Sequence, residues 1–154
     1  MSNLKNIDWE LNIVGDGSER ENLEKLAKAL NCSDNVKFLG RVQRHQVMEI
    51  LKNTHVFVMI STNEIFGLVY LEAMAASCIT IASKDGGVDG IIVDGSNGYL
   101  CTEGDSAELS SIINNVIFSR SLDDLKSIAS QGYQTANEHS DSKEALRYLN
   151  TITG

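Results

Sequence analysis

Short apolar runs recur along this chain, the first four spaced so that one helix fits between each pair. This alternation constrains the fold more than any other feature. The runs are "ELNIV" (10–14), "VKFLG" (36–40), "VFVMI" (56–60), "ITIAS" (79–83) and "GYLC" (98–101). Between and after them, "GDGS", "DGG" and "DGSNG" supply the turns in a sequence with no proline. Ser18 and Glu21 form an S-x-x-E pattern that predicts a capped helix with Leu23, Leu26, Ala27 and Leu30 at helical spacing. A helix around 44–53 turns Val47, Ile50 and Leu51 inward, and another is expected from about 67 to 77. "VFVMI" has the unbroken apolar character of a strand buried on both faces of a parallel sheet. Asp105 with Glu108, and Ser121 with Asp124, open two more helices, and "SKEALRYLNTI" closes the chain as a third C-terminal one. Strand–helix alternation with short loops predicts an α/β, Rossmann-like doubly wound fold: a parallel sheet flanked by helices. The expected organisation is a single domain over 1–154, with 120–154 as its C-terminal helices, since 154 residues suffice for one core and not for two.

Several function classes are disfavoured. A net charge of −8 does not suit a general binder of nucleic-acid backbones. No apolar run has membrane-spanning length, and "MSNLKNIDWE" lacks the apolar stretch of a signal peptide, so a cytoplasmic location is expected. Cys32, Cys78 and Cys101 are widely spaced and have no nearby His, which fits buried thiols better than disulfides or zinc ligands. His45 and His55 lack a Ser or Cys partner in any recognisable nucleophile setting. "GDGSER" lacks the G-x-G-x-x-G pattern of dinucleotide binding.

In such folds ligands bind beyond the carboxyl ends of the strands, which points to the loops "GDGSE", "GRVQ", "STNEIFG" and "SKDGG". The third runs into "EIFGLVYLE", an apolar stretch with a carboxylate at each end. A helix starting near Gly67 would aim the amides of Phe66, Gly67, Leu68 and Val69 at whatever lies beyond the third strand, a setting for an anion. Glu64, just ahead of it, could simply answer the helix dipole. Glu72 is the only charge between Gly67 and Ser77. It lies about 7 Å further along the axis, where a carboxylate would suit hydroxyl donors such as a ribose diol.

"NEIFGLVYLEAMAAS" resembles the signature of the group 1 glycosyltransferases, GT-B fold enzymes that transfer sugars from nucleotide-sugar donors. Glu64, Phe66, Gly67, Glu72, Ala73, Met74 and Ala75 match its pattern. "IVGDGSERENLEKLA", "VKFLGRV", "ITIASKDGG" and "IIVDGSNGYL" resemble the family's flanking segments in order and spacing, over residues 10 to about 118. The resemblance implies that Glu72 bonds the ribose hydroxyls and that Glu64 acts at the transferred sugar, as the catalytic carboxylate. Amides at Phe66, Gly67 and Leu68 would face the donor sugar and diphosphate, Val42 the base, and Gly15 and Gly17 the adjoining wall. It also implies retention of anomeric configuration, no metal or other cofactor, and catalysis by positioning and leaving-group stabilisation.

Some family features are missing. Only nine residues precede Glu10, so the usual Arg and Lys diphosphate clamp, the first strand of the nucleotide domain and the N-terminal acceptor domain are not in this sequence. Ile79 stands where proline is usual, and Gly90 where Glu is frequent. The chain is therefore expected to be a donor-binding fragment, inactive alone, whose truncated sheet invites a homodimer or edge pairing. In the full-length protein, association with the cytoplasmic face of the membrane would fit. Lys84, Arg20 and Arg41 are the candidates to replace the clamp, although solvated surface cations are the plainer reading of each. The alternative function is a non-catalytic nucleotide-binding or protein-interaction module of the same fold.

Overall fold

The computed structural model describes residues 8–61, 67–84, 86 and 90–139. Expectations for Glu64, Phe66, most of "DGGVDG" and the helix "SKEALRYLNTI" fall outside them. The chain forms two compact units, Met1–Val47 and Met48–Gly154.

In the first unit, β1 (Leu11–Val14) pairs in parallel with β2 (Val36–Gly40), Leu11 opposite Val36 and Ile13 opposite Phe38. Helix α1 (Arg20–Ala29) makes the crossover, followed by a 3-10 turn at Ser33–Asn35. The expected Ser18 cap does not form. The residue before the helix is Glu19, already helical in backbone and without a side-chain cap bond. A hydroxyl cap needs extended backbone at its own position, and the turn in which Arg20 N–H donates to Gly17 O (3.2 Å) leads straight into the helix instead. Ala27 is buried, but Leu23, Leu26 and Leu30 are 42%, 53% and 55% exposed. A two-stranded sheet is too narrow to cover the whole apolar stripe of a helix.

Helix α2 (Arg44–Lys52) starts in the first unit and ends in the second, with Leu51 buried and Val47 and Ile50 half-buried. The second unit holds β3 (Val56–Met59), β4 (Ile79–Ser83) and β5 (Tyr99–Cys101) as a parallel sheet in that order. Helix α3 (Leu68–Ala75) joins β3 to β4; α4 (Ser106–Asn114) and α5 (Leu122–Glu138) follow β5. The strand buried throughout is β4 and not, as expected, β3, whose Val58 is 39% exposed. The reason is position: β4 has a strand on each side, whereas β3 pairs with β4 alone among the described residues. The five described strands thus form a two-stranded and a three-stranded sheet.

Two apolar clusters fill the second unit. Tyr70, Met74, Ala82, Ile92 and Ala136 make one, Ile79, Ile81, Tyr99, Cys101, Val116 and Ile128 the other. Both predicted C-terminal caps form. Asp105 accepts from the amides of Ala107 and Glu108 (3.0 and 2.8 Å), and Ser121 with Asp124 closes a capping box. Between α4 and α5 the helix widens into a π turn at Asn115–Ser119. The outer edge of β5 is guarded by carboxylates: Leu100 N–H donates to Asp94 Oδ1 (2.8 Å) and Thr102 N–H to Glu108 Oε2 (2.7 Å). A strand edge satisfied by side chains offers little to an incoming strand.

Candidate functional site

In the first unit, the loops after β1 and β2 are tied together where Gly15 N–H donates to Gly40 O (2.8 Å). Gly15 and Gly40 have φ of +125° and +67°, a backbone that only glycine enters without strain. Gly17 differs: a Cβ there would meet nothing within 4 Å, so the chain itself sets no steric demand for glycine. Val42, half-buried, follows Gly40 by two residues in the β2–α2 loop. Gly15, Gly17 and Val42 therefore all lie at the carboxyl end of this unit's sheet.

In the second unit, Gly67 is buried and left-handed (φ +42°) at the start of α3. Tyr70 N–H closes the first helical bond on Gly67 O (2.8 Å), leaving the Leu68 and Val69 amides ahead of the helix's own ladder. Leu68 is 58% exposed, and Glu72, one turn on, is half-buried. Glu64 and Phe66 lie outside the described residues, so only Gly67, Leu68 and Glu72 of that group can be located.

The end of β3 and the residues just after it are held by side chains the sequence reading did not single out. The Tyr70 side chain is buried, with its ring edge-on to Phe57 at 5.9 Å, and its hydroxyl donates to Met59 O (2.7 Å) at the end of β3. Ser83, closing β4, donates to Ser61 O (2.9 Å). Ser83 could have been noticed as a hydroxyl at a strand end, whereas nothing local in the sequence marks Tyr70.

Two of the three proposed substitute cations, Lys84 and Arg20, are committed elsewhere. Lys84 pairs with Glu108 and donates to Thr102 Oγ1 (3.2 Å). Hydrogen bonds from Lys84 and Thr102 hold the Glu108 carboxyl down at about 2, and Glu108 raises the Lys84 ammonium above its ordinary value. Arg20 bonds Glu24 (3.0 Å) and lies over Phe38. Arg41 has no feature that singles it out.

Two of the three thiols behave as expected of core groups, while Cys32 is only half-buried. Cys78 and Cys101 are buried, and burial pushes Cys78 up to about 11 and raises Cys101 as well. Among the described residues no three His, Cys, Asp or Glu side chains are grouped to hold a metal ion. None of the described helices is long and apolar enough to cross a membrane. A cleft of about 270 Å³ lies against β5, lined in part by Asp94, Tyr99, Leu100, Glu108, Ile112 and Arg120, and includes none of the predicted site residues.

Parallel strands joined through helices, with glycine loops at their carboxyl ends and an apolar α3 carrying one half-buried carboxylate, define a Rossmann-like α/β fragment. The sequence model for glycosyl transferases group 1 matches residues 1–135, and the chain belongs to that family. It is 40% identical over 100 residues to N-acetyl-alpha-D-glucosaminyl L-malate synthase of Bacillus anthracis, covering 65% of this chain and 26% of that protein. To a glycosyltransferase of Haemophilus influenzae it is 34% identical over 131 residues, 82% of this chain and 36% of the other. The crystal structure of Anabaena HepE in complex with UDP-glucose superposes with a TM-score of 0.78 at 27% identity, over 93% of this chain and 41% of HepE. The chain thus spans only about a quarter to a third of these curated relatives' length.

Proposed function

We propose that this chain is the donor-binding half of a glycosyltransferase that transfers a sugar from a nucleoside-diphosphate sugar, UDP- or GDP-linked, to an acceptor such as a growing glycan or lipid. The observation that carries the reading is the likeness to HepE, a protein solved with UDP-glucose bound, over nearly the whole of this chain. In this reading Glu72 accepts hydrogen bonds from the ribose hydroxyls, and Glu64 works at the transferred sugar. The α3 N-terminus, with the amides of Phe66, Gly67 and Leu68, faces the donor diphosphate, where a helix dipole favours negative charge. Val42 meets the base through its backbone, beside Gly15 and Gly17. Lys84 is paired with Glu108 and Arg20 with Glu24, so neither serves the leaving diphosphate, and the amides at the α3 N-terminus do so from within this chain.

Transfer proceeds with retention and without a metal ion, and takes place in the cytoplasm, at the membrane face when the acceptor is a lipid. It requires an acceptor-binding domain that this chain does not supply, so the chain alone binds donor weakly and transfers nothing. Among the described residues, the β3 edge leaves room for pairing with that domain or with a second copy.

Calorimetric titration of the chain with UDP, GDP and ADP, beside Glu72→Ala, tests the reading. One nucleotide should bind, with affinity falling at least tenfold in the variant, consistent with loss of charge-assisted hydrogen bonds worth about 1.5–3 kcal/mol. No binding of any of the three at millimolar concentration would overturn donor binding by this chain.

A further inference from the structure

We infer that Arg20 is a positioning residue: from the start of α1 it holds the β2–α2 loop, Gly40–Gln43, in the conformation that presents Val42 to a nucleotide base. The inference deepens the donor-site reading above and rests on it. In the sequence Arg20 passes for a surface cation or a spare phosphate ligand. The structure gives it neither role.

Its guanidinium carbon stands 5.9 Å from the centre of the Phe38 ring, and Nη2 donates to Phe38 O (3.4 Å). Nε is paired with Glu24 one turn along the same helix (3.0 Å), which fixes the plane of the group. Nη1 lies 3.6 Å from the point where a Cβ on Gly40 would stand, so the guanidinium fills the space under the loop at its left-handed glycine. On the other side, Gly15 N–H holds Gly40 O. The last turn of β2 is thus gripped from α1 through Phe38 O and from the β1 loop through Gly40 O.

A planar, always-charged group can stack on a ring and donate from its edge at once, and an ammonium cannot. Since ligands of parallel sheets sit beyond the strands' carboxyl ends, a group that stiffens this loop acts on binding without touching the ligand.

The test compares wild type with Arg20→Met, which keeps the apolar stem and loses the fork, and with Arg20→Lys, which keeps only the charge. Amide hydrogen exchange should quicken at least fivefold across Leu39–Gln43 in both variants, with the Ala27 amide in α1 unchanged. UDP affinity by calorimetry should fall about fivefold or more in both, at a temperature well below unfolding. Full rescue by Lys would mean that charge and not the stacked fork matters, and would overturn the inference. So would unchanged exchange in Leu39–Gln43, or quickened exchange with UDP affinity intact. Failure of the wild-type chain to bind UDP, GDP or ADP would overturn the proposed function, while exchange alone would then decide whether Arg20 holds the loop; if GDP or ADP binds instead, that nucleotide replaces UDP in the affinity comparison.

Discussion

Asn97 offers the sharpest test of how the second unit is held together. It is 8% exposed, in the turn "DGSNG" that leads into β5, and uses both ends of its amide. Oδ1 accepts from Val93 N–H (2.7 Å), while Nδ2 donates to Ile91 O and to Thr135 Oγ1 on α5 (both 2.9 Å). In the same place Asn97 O would stand 3.0 Å from a Cβ on Gly132, so α5 packs directly on this turn. Asn97→Ala removes three bonds and leaves the Val93 amide and the Ile91 carbonyl without them. At about 1 kcal/mol net per bond, and more for a buried group left unpaired, the loss should be about 3 kcal/mol. Urea unfolding followed by far-UV circular dichroism should show the midpoint falling by about 1.5–2 M for a slope near 2 kcal/mol per molar. Thr135→Val, which removes one partner only, should cost about 1 kcal/mol. A loss below 1 kcal/mol for Asn97→Ala, or an equal loss for both variants, would refute the three-bond argument.

Ser77 ends α3 in the left-handed region (φ +63°), with Cys78 N–H closing back on Ala73 O (3.0 Å). Ser77→Gly should therefore raise stability by about 0.5–1 kcal/mol in the same assay, and a loss would contradict it. Gly17→Ala should leave the unfolding midpoint within about 0.5 kcal/mol because no atom lies near the added methyl. It should nonetheless weaken nucleotide binding, since a ligand is then the remaining reason for glycine. The Glu108 carboxyl, depressed from 4.5 to about 2, contributes stability that is fully present above its unfolded value and is lost as pH falls through about 2. The difference in urea midpoint between wild type and Glu108→Gln should accordingly shrink from pH 5 to pH 2. A constant difference would exclude the Lys84–Glu108 pairing as its source.

The alternation of apolar runs located every described strand to within a residue, because a parallel sheet demands apolar strands and the turns between them need Gly, Asn and Asp. The caps at Asp105 and Ser121 were equally legible, since the pattern and the extended backbone it requires coincide at Ser121. At Ser18 the pattern is present and the backbone is not. Periodicity also put Leu23, Leu26 and Leu30 at helical spacing, but it reports only which side of a helix is apolar and not whether enough sheet lies opposite. For the site, the resemblance named Gly67, Leu68 and Glu72 at the start of α3, where the structure has them on one short helix. Tyr70 and Asn97 were passed over, and Arg20 was read only as a spare cation, because their contacts are with partners 11, 38 and 18 residues away, a separation that no local pattern encodes.

The difference between the two outer strands of the three-stranded sheet bears on how copies can associate. On β3, Ile79 N–H bonds His55 O, so alternation turns the Val56 and Val58 backbone groups away from β4, and no described residue meets them. On β5 the outward amide of Leu100, and that of Thr102 just past the strand, are occupied by Asp94 and Glu108. Among the described residues the two edges of this sheet differ, which gives it polarity as a building block. Two copies joined at β3 would present a closed edge at each end, so growth through this sheet stops at a pair instead of propagating into a fibre.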